Sequence, residues 1–399
     1  MKSILFTLVL ACGLASCSAK GVKWEPSLAA AFDKAAKENK MVFVEYFSST
    51  CPHCKKVEPH FSNDTLAQFY NENFINYKLD NEKIKKEDSL FILERNLTFE
   101  SVPFFLFFDK NKNFLHFSGA KAETPYLINI GKTALNPNER TASLKGKYEA
   151  GDRTIKTLYA YSTLVQLYKD EKLINTIADQ LYEVYPKNTL GTSKSFIIMK
   201  NAVKSIENGF FKYWVNHIPE MKGFETGANA GKEINVLEKI LRTSLLGNES
   251  KTWGLAKINE VKQMILTTKL SEDPNEFTWE RESTLLVKEN KVNEAFVIFN
   301  QMMKKQSDNV SYSAYIIDHF ITILNDKPKI ASLKTWIDAL GKKKLENDEK
   351  GYLMYTNILF YKKMQDAKMV KELSAKALNF YKANDLSTTK LDSLIAEHS

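Results

Sequence analysis

Met41-Val42-Phe43-Val44-Glu45-Tyr46-Phe47 is apolar but for Glu45, and Ser48-Ser49-Thr50 leads from it into Cys51-Pro52-His53-Cys54. A continuous rather than alternating apolar run, rich in β-branched and aromatic residues, reads as a strand buried on both faces, as central parallel strands are. A helix is expected to begin at Cys51, because Pro52 suits a first helical turn, where its missing N–H costs nothing. In that strand-to-helix setting a C-x-x-C carries a mechanism. At the helix mouth Cys51 meets free backbone N–H groups and the positive end of the helix dipole, so its thiolate is stabilised and its pKa falls. Cys51 is therefore the candidate nucleophile. Cys54, one turn further in, is the candidate resolving thiol that breaks a mixed disulfide by attacking Cys51. The His53 imidazole beside the thiolate is expected to lower the Cys51 pKa further.

Outward from this segment, Ser27 to Lys40 reads as a helix opened by Pro26 and Ser27, with Leu28, Ala31, Phe32, Ala35 and Ala36 on one face. A helical stretch from Asp64 to Tyr70 precedes a second strand, Phe74 to Leu79, and Lys85 to Arg95 is again helical. Pro103 to Phe108 and Phe114 to Phe117 are strands separated by Asp109-Lys110-Asn111-Lys112-Asn113, an antiparallel hairpin. Glu123 to Leu135 closes an α/β domain in which parallel strands come first and the hairpin last. Residues 136–151 turn polar, with Pro137, Asn138, Gly146 and Gly151, and are expected to be a linker. Residues 152–399 read as all-helical, with stripes at Leu173, Ile177, Leu181 and Val184, at Val292, Phe296, Phe299 and Met303, and at Val370, Leu373, Ala377 and Phe380. The candidate helix pairs Thr154 to Tyr185, Arg281 to Lys305 and Tyr352 to Lys382 loosely resemble tetratricopeptide repeats, without the full signature.

The 399 residues are 44% hydrophobic and 26% charged, too apolar for disorder and long enough for two or three domains. The net charge of +8 comes from lysine; Arg95, Arg140, Arg153, Arg242 and Arg281 are the only arginines. Nucleic-acid readers lean on arginine forks, so a dispersed lysine excess reads as solvated surface and no nucleic-acid partner is expected. Gly227-Ala228-Asn229-Ala230-Gly231-Lys232-Glu233 falls one residue short of a phosphate loop and has Glu where a metal-binding hydroxyl is required, so it is set aside.

Residues 25–135 resemble the thioredoxin superfamily on the C-x-x-C and on further positions. Glu45, six before Cys51, matches the buried acid that manages the proton of the resolving Cys. Pro59, five after Cys54, matches the proline that kinks the active-site helix. Pro103, preceded by Val102, matches the cis-proline facing the disulfide, and Gly119 the glycine after the hairpin. The resemblance implies Cys51, Cys54, His53, Pro103 and Glu45 as catalytic residues, and Val102, Pro103 and Pro52 as contacts for a client polypeptide. It implies no metal or organic cofactor, since the Cys51–Cys54 pair is itself the redox centre. Thr50 stands where classical thioredoxins carry Trp, which implies different partners. The stretch from Phe61 to Lys78 resembles exported reductase domains, whereas C-P-H-C with Val before the proline resembles periplasmic oxidases. The family's potentials span about 150 mV, roughly 7 kcal/mol for two electrons. A stabilised Cys51 thiolate favours the oxidising end, so oxidase or isomerase is preferred to reductase.

Met1-Lys2-Ser3 followed by the apolar run Ile4 to Leu14 reads as a secretory signal, too short for a stable bilayer anchor. Leu14-Ala15-Ser16-Cys17 resembles a bacterial lipobox, which implies removal of residues 1–16, lipidation of Cys17, and a tether and thioredoxin-like domain over 17–135. Cleavage after Ala19, releasing a soluble periplasmic protein, remains open. Of the four cysteines, Cys12 leaves with the signal and Cys17 takes the lipid, so only Cys51 and Cys54 remain as thiols. A loop of two intervening residues constrains the unfolded chain little, so the pair reads as chemistry rather than as a staple. The expected setting is the periplasmic face of a membrane, inner or outer, with protein thiols and disulfides as substrates and a separate redox-recycling partner.

Bland alternatives stand beside these readings. Cys51 and Cys54 with His60 make half a zinc site, but a closed site wants four ligands. Glu45 as a chance acid, Pro103 as a trans proline, and Lys78 as either a partner of Glu45 or a solvated strand end all stay open. His116, His217, His319 and His398 read as structural. The competing whole-protein reading is a helical-repeat lipoprotein that scaffolds partners and carries a redox-inert thioredoxin-like module.

Overall fold

The computed structural model of the chain describes residues 21–99 and 101–396. The signal segment, Cys12, Cys17, Ala19 and His398 lie outside the described residues. Contacts divide the chain into two compact units, one running to Thr189 and including Ile197–Val203, the other comprising Leu190–Phe196 and the chain from Lys204.

In the first unit α1 (Leu28–Glu38) leads to β1 (Met41–Phe47), α2 (Pro52–Val57), α3 (Asp64–Asn73), β2 (Phe74–Asp80) and α4 (Lys86–Glu94). The hairpin β3 (Phe104–Phe108) and β4 (Phe114–Gly119) follows, and then α5 (Thr124–Leu135). Caps set the helix starts: Ser27 Oγ accepts the Ala30 N–H at 3.1 Å, and Asn63 Oδ1 accepts those of Thr65 and Leu66. The strand order is β2-β1-β3-β4, with β1 parallel to β2 and antiparallel to β3. Strand side chains alternate between faces. Phe43, Phe105 and Phe107 therefore pack with Leu66, Tyr70, Leu127 and Ile130 of α3 and α5, while Phe108 meets Phe32 of α1 and Phe91 of α4 on the other face. Each fully buried ring contributes about 2 kcal/mol through removal of apolar area from water. Gly131 of α5 is required by close approach, since a Cβ there would lie 2.5 Å from the Phe69 ring.

Residues 136–151, expected as a linker, instead carry α6 (Ala142–Glu149) packed beside β4. The Thr141 N–H donates to His116 Nδ1 at 3.2 Å and Thr141 Oγ1 accepts the Phe117 N–H. Only Leu144 of α6 is buried, which is why the segment looks like a linker in sequence. The pair α7 (Ile155–Gln166) and α8 (Glu171–Val184) also belongs to this unit rather than to a separate helical domain beginning at 152. The Leu167 carbonyl accepts both the N–H and the hydroxyl of Thr98, which fastens the pair to the α/β part. On α8 the inward face is Ile174, Ile177, Ala178 and Leu181, and Val184 is exposed.

The second unit is helical throughout its described residues. The expected pairs appear as Asn275–Lys288 with Val292–Lys305 and as Asn347–Met364 with Ala367–Ala383. Phe299, Ile317 and Phe320 are central to its core; Val292, Phe296, Val370, Leu373 and Phe380 are half-buried. The 227–233 stretch forms a short turn in which the Glu233 carboxylate accepts the N–H groups of Gly223 and Glu225. Among the described residues no helix is long and apolar enough to cross a membrane.

Candidate active site

Parallel pairing of β1 and β2 brings their carboxyl ends together, Phe47 opposite Asp80, and crevices beyond such ends are where α/β sheets place sites. Cys51 follows the three-residue turn after β1 and occupies the cap position of α2 with extended backbone (φ −66°, ψ 121°), and Pro52 is the first helical residue. The helix tightens at Glu58-Pro59, as a proline lacking an N–H requires. Cys51 is partly exposed and Cys54 is buried, and both are free thiols. Cys51 Sγ lies 3.7 Å from the Val102 carbonyl oxygen, and the Val102–Pro103 peptide is cis. Pro52 and His53 are exposed, whereas Pro103 is buried. A Cβ at Gly119 would meet open space, so no steric need for that glycine is evident.

The two thiols are pushed in opposite directions. Burial raises Cys51, but hydrogen bonds from the Cys54 backbone N–H, the Cys54 thiol and the His53 backbone N–H outweigh it, so its pKa falls below the ordinary thiol value. His53 thus supplies one of these donors through its backbone N–H. Cys54 rises to about 11, chiefly by burial, helped by its bond to Cys51 and by the charges of Cys51 and Glu45, and opposed by the Ser48 N–H.

Glu45 shares the Phe43 face of β1 and is 1% exposed. Burial lifts its carboxyl to about 8, against the pull of Lys78. Neither carboxyl oxygen has a hydrogen-bond partner, and Lys78 Nζ stands 3.7 Å away. Register places Lys78 directly opposite Glu45 on β2, but the ammonium binds the Glu58 carboxylate and lies 4.7 Å from the Trp24 ring centre. The Lys78 side chain is thus neither a plain partner of Glu45 nor a solvated strand end. His60 Nδ1 is 2.8 Å from Thr124 Oγ1.

Glu82 also belongs to the site. Its carboxylate accepts the hydroxyls of Ser48, Ser49 and Thr50, the turn that delivers Cys51. No local signal marks it, because Glu82 and Ser48 are 34 positions apart and meet only through strand pairing.

Residues 13–118 match a family model described as "Thioredox_DsbH: Protein of unknown function, DUF255". The N-terminal domain is thioredoxin-like. Spermatogenesis-associated protein 20 of Rattus norvegicus is 38% identical over 72 residues, 18% of this chain and 9% of that protein. Protein disulfide-isomerase 1 of Dictyostelium discoideum is 26% identical over 248 residues, 58% of this chain and 64% of that protein. The chain thus spans about a tenth of the first relative and under two thirds of the second. A solved structure from Bacteroides thetaiotaomicron, described as a candidate disulphide-isomerase, is similar over 30% of this chain and 96% of its own, at 24% identity and a TM-score of 0.26.

Proposed function

We propose that the chain is a thiol–disulfide oxidoreductase that exchanges disulfides with protein substrates through Cys51 and Cys54. The observation that carries this reading is the asymmetry of the pair: a partly exposed thiol with a lowered pKa, a buried thiol with a raised one, and a buried acid whose charge bears on the second. The resemblance to a protein disulfide-isomerase over 58% of the chain supports it.

In the reducing direction the Cys51 thiolate attacks one sulfur of a client disulfide, the S–S bond breaks, and the departing client sulfur takes up a proton. Cys54 then loses its proton and attacks the Cys51 sulfur, which expels the second client thiolate. The chain ends as the Cys51–Cys54 disulfide and the client as two thiols; the oxidising direction reverses every step. Cys54 rarely ionises unaided at neutral pH, so it needs a base. Glu45, held near pH 8 within electrostatic reach of Cys54, is matched to take and return that proton. Val102, Pro103 and Pro52 frame the Cys51 sulfur as client contacts.

The lowered Cys51 thiol favours the reduced pair, and with it oxidase or isomerase chemistry over reductase chemistry. The proposed setting is extracytoplasmic, with a lipid tether at Cys17, protein thiols and disulfides as substrates, and a separate protein that reloads the pair. The competing scaffold reading draws on a groove of about 1140 Å³ in the second unit, floored by Ile321, Ile330 and Leu359 and edged by Lys327, Lys363 and Lys371. Such a groove suits a held client in either reading.

Trapping thiols in intact cells with acid and alkylating them tests the direction. A donor of disulfides shows the Cys51–Cys54 pair oxidised at steady state and an isomerase or a remover shows it reduced, and Cys51→Ser abolishes exchange with a disulfide-bonded client. A pair that is fully reduced in cells rules out the oxidase direction, and exchange that survives Cys51→Ser overturns the enzyme reading.

A further inference from the structure

Beyond β2, the Asn81 N–H donates to the Phe47 carbonyl at 2.9 Å and the Glu82 N–H donates to Asp80 Oδ1 at 3.1 Å, which fixes the backbone of Glu82 against the end of β1. Its carboxylate then gathers every hydroxyl of the Ser48–Thr50 turn: Ser48 and Thr50 on Oε1, and Ser49 on Oε2 at 3.0 Å. That turn touches both sulfurs' surroundings. The Cys51 N–H donates to the Ser48 carbonyl at 3.2 Å, and the Ser48 backbone is among the groups that hold the Cys54 pKa down against burial. Ser48 is buried, so its hydroxyl needs the acceptor that Glu82 supplies.

We propose that Glu82 is a positioning residue that locks the approach to Cys51 and, as an anion fixed beside the thiolate, restrains the oxidising power of the dithiol. The proposal rests on the oxidoreductase reading of Cys51 and Cys54. Three hydroxyl donors hold one exposed carboxylate in a single place, so its charge acts on Cys51 at constant distance. The hydroxyls of Ser48 and Thr50 keep the Glu82 carboxyl down at about 2, so the anion is present at every working pH. A negative charge destabilises the thiolate, and the Cys51 thiol is pushed up by it, against the hydrogen bonds that pull it down. Less stabilisation of the reduced form means a less oxidising disulfide. Glu82 is in this way the counterweight to the C-P-H-C segment.

The experiment uses the full chain and compares wild type with Glu82→Gln, which keeps one oxygen acceptor for Ser48 and Thr50, removes the charge and exchanges the acceptor of the exposed Ser49 hydroxyl for an amide donor. Two quantities are read at low salt: the rate of Cys51 alkylation by iodoacetamide at pH 6.5, and the equilibrium with a glutathione buffer. Glu82→Gln is expected to raise the alkylation rate about threefold and to shift the equilibrium about threefold toward the reduced protein. Both differences shrink as salt approaches about 0.5 M, because an exposed charge is screened. Glu82→Asp returns the values toward wild type, whereas a purely structural role would make Asp, with its shorter reach, the worse variant. Coincidence of Glu82→Gln with wild type at low salt, or a shift of opposite sign, overturns the proposal. An ordinary Cys51 in wild type itself defeats the oxidoreductase reading instead, a result visible before any variant is compared.

Discussion

Among the described residues, each unit holds a buried acid whose carboxyl is pushed well above its ordinary pKa. Glu45 in the sheet is lifted to about 8 and Asp318 in the helical unit to about 7, both chiefly by burial. Their surroundings differ. The Thr356 and Tyr352 side chains pull the Asp318 carboxyl back down, and its Oδ1 has no hydrogen-bond partner. Glu45 has no hydrogen-bond partner at either oxygen, and the group that feels it is a thiol that must lose a proton. A raised carboxyl thus marks a site only when a reacting group shares its pocket; otherwise it is a structural cost offset by neighbouring packing.

Replacing each acid by its amide separates the two cases. Glu45→Gln is expected to slow client exchange by about 100-fold at pH 7 and to erase the rise in rate toward pH 8, whereas Asp318→Asn leaves exchange within about twofold of wild type. Exchange rates against pH for both variants decide it, and equal effects would dissolve the distinction. The two variants should agree in stability. Folded Glu45 keeps a proton that the unfolded chain releases above its ordinary value of 4.5, so this site's stabilisation is full below that pH and is lost as pH rises through about 8. Denaturant titrations from pH 4 to 9 should show Glu45→Gln losing that decline and gaining on the order of 3 kcal/mol over wild type at pH 7. Asp318→Asn should behave in the same way over the window from 3.8 to about 7.

A smaller effect refines the thiol side. The His53 backbone N–H is one of the donors that lower Cys51, so His53→Pro should make the disulfide about tenfold less oxidising against glutathione. His53→Gly keeps the N–H and should change the equilibrium by no more than about twofold. Equal shifts in the two variants would return the role to the imidazole.

The strand, the helix opening at Cys51 and the hairpin are legible in the sequence because each is written locally: a continuous apolar run, a proline at a helix start, a polar turn between phenylalanine strands. Glu45 is legible because an acid in so apolar a strand needs a reason. Glu82 is not, since its partners come from strand pairing. The boundary after Leu135 also misleads, because α6 buries a single leucine and its attachment to the sheet runs through Thr141 and His116. The stripe on α8 is read one step out of phase at its ends, with Ile174 inside and Val184 outside.

The most direct test is alkylation of the reduced chain between pH 5 and 9, with each modified cysteine located by mass spectrometry. Cys51 should be modified with a midpoint below the ordinary thiol value of about 8.5, while Cys54 stays unmodified across the range. Modification of both cysteines together near that ordinary value, or of Cys54 before Cys51, would contradict the account.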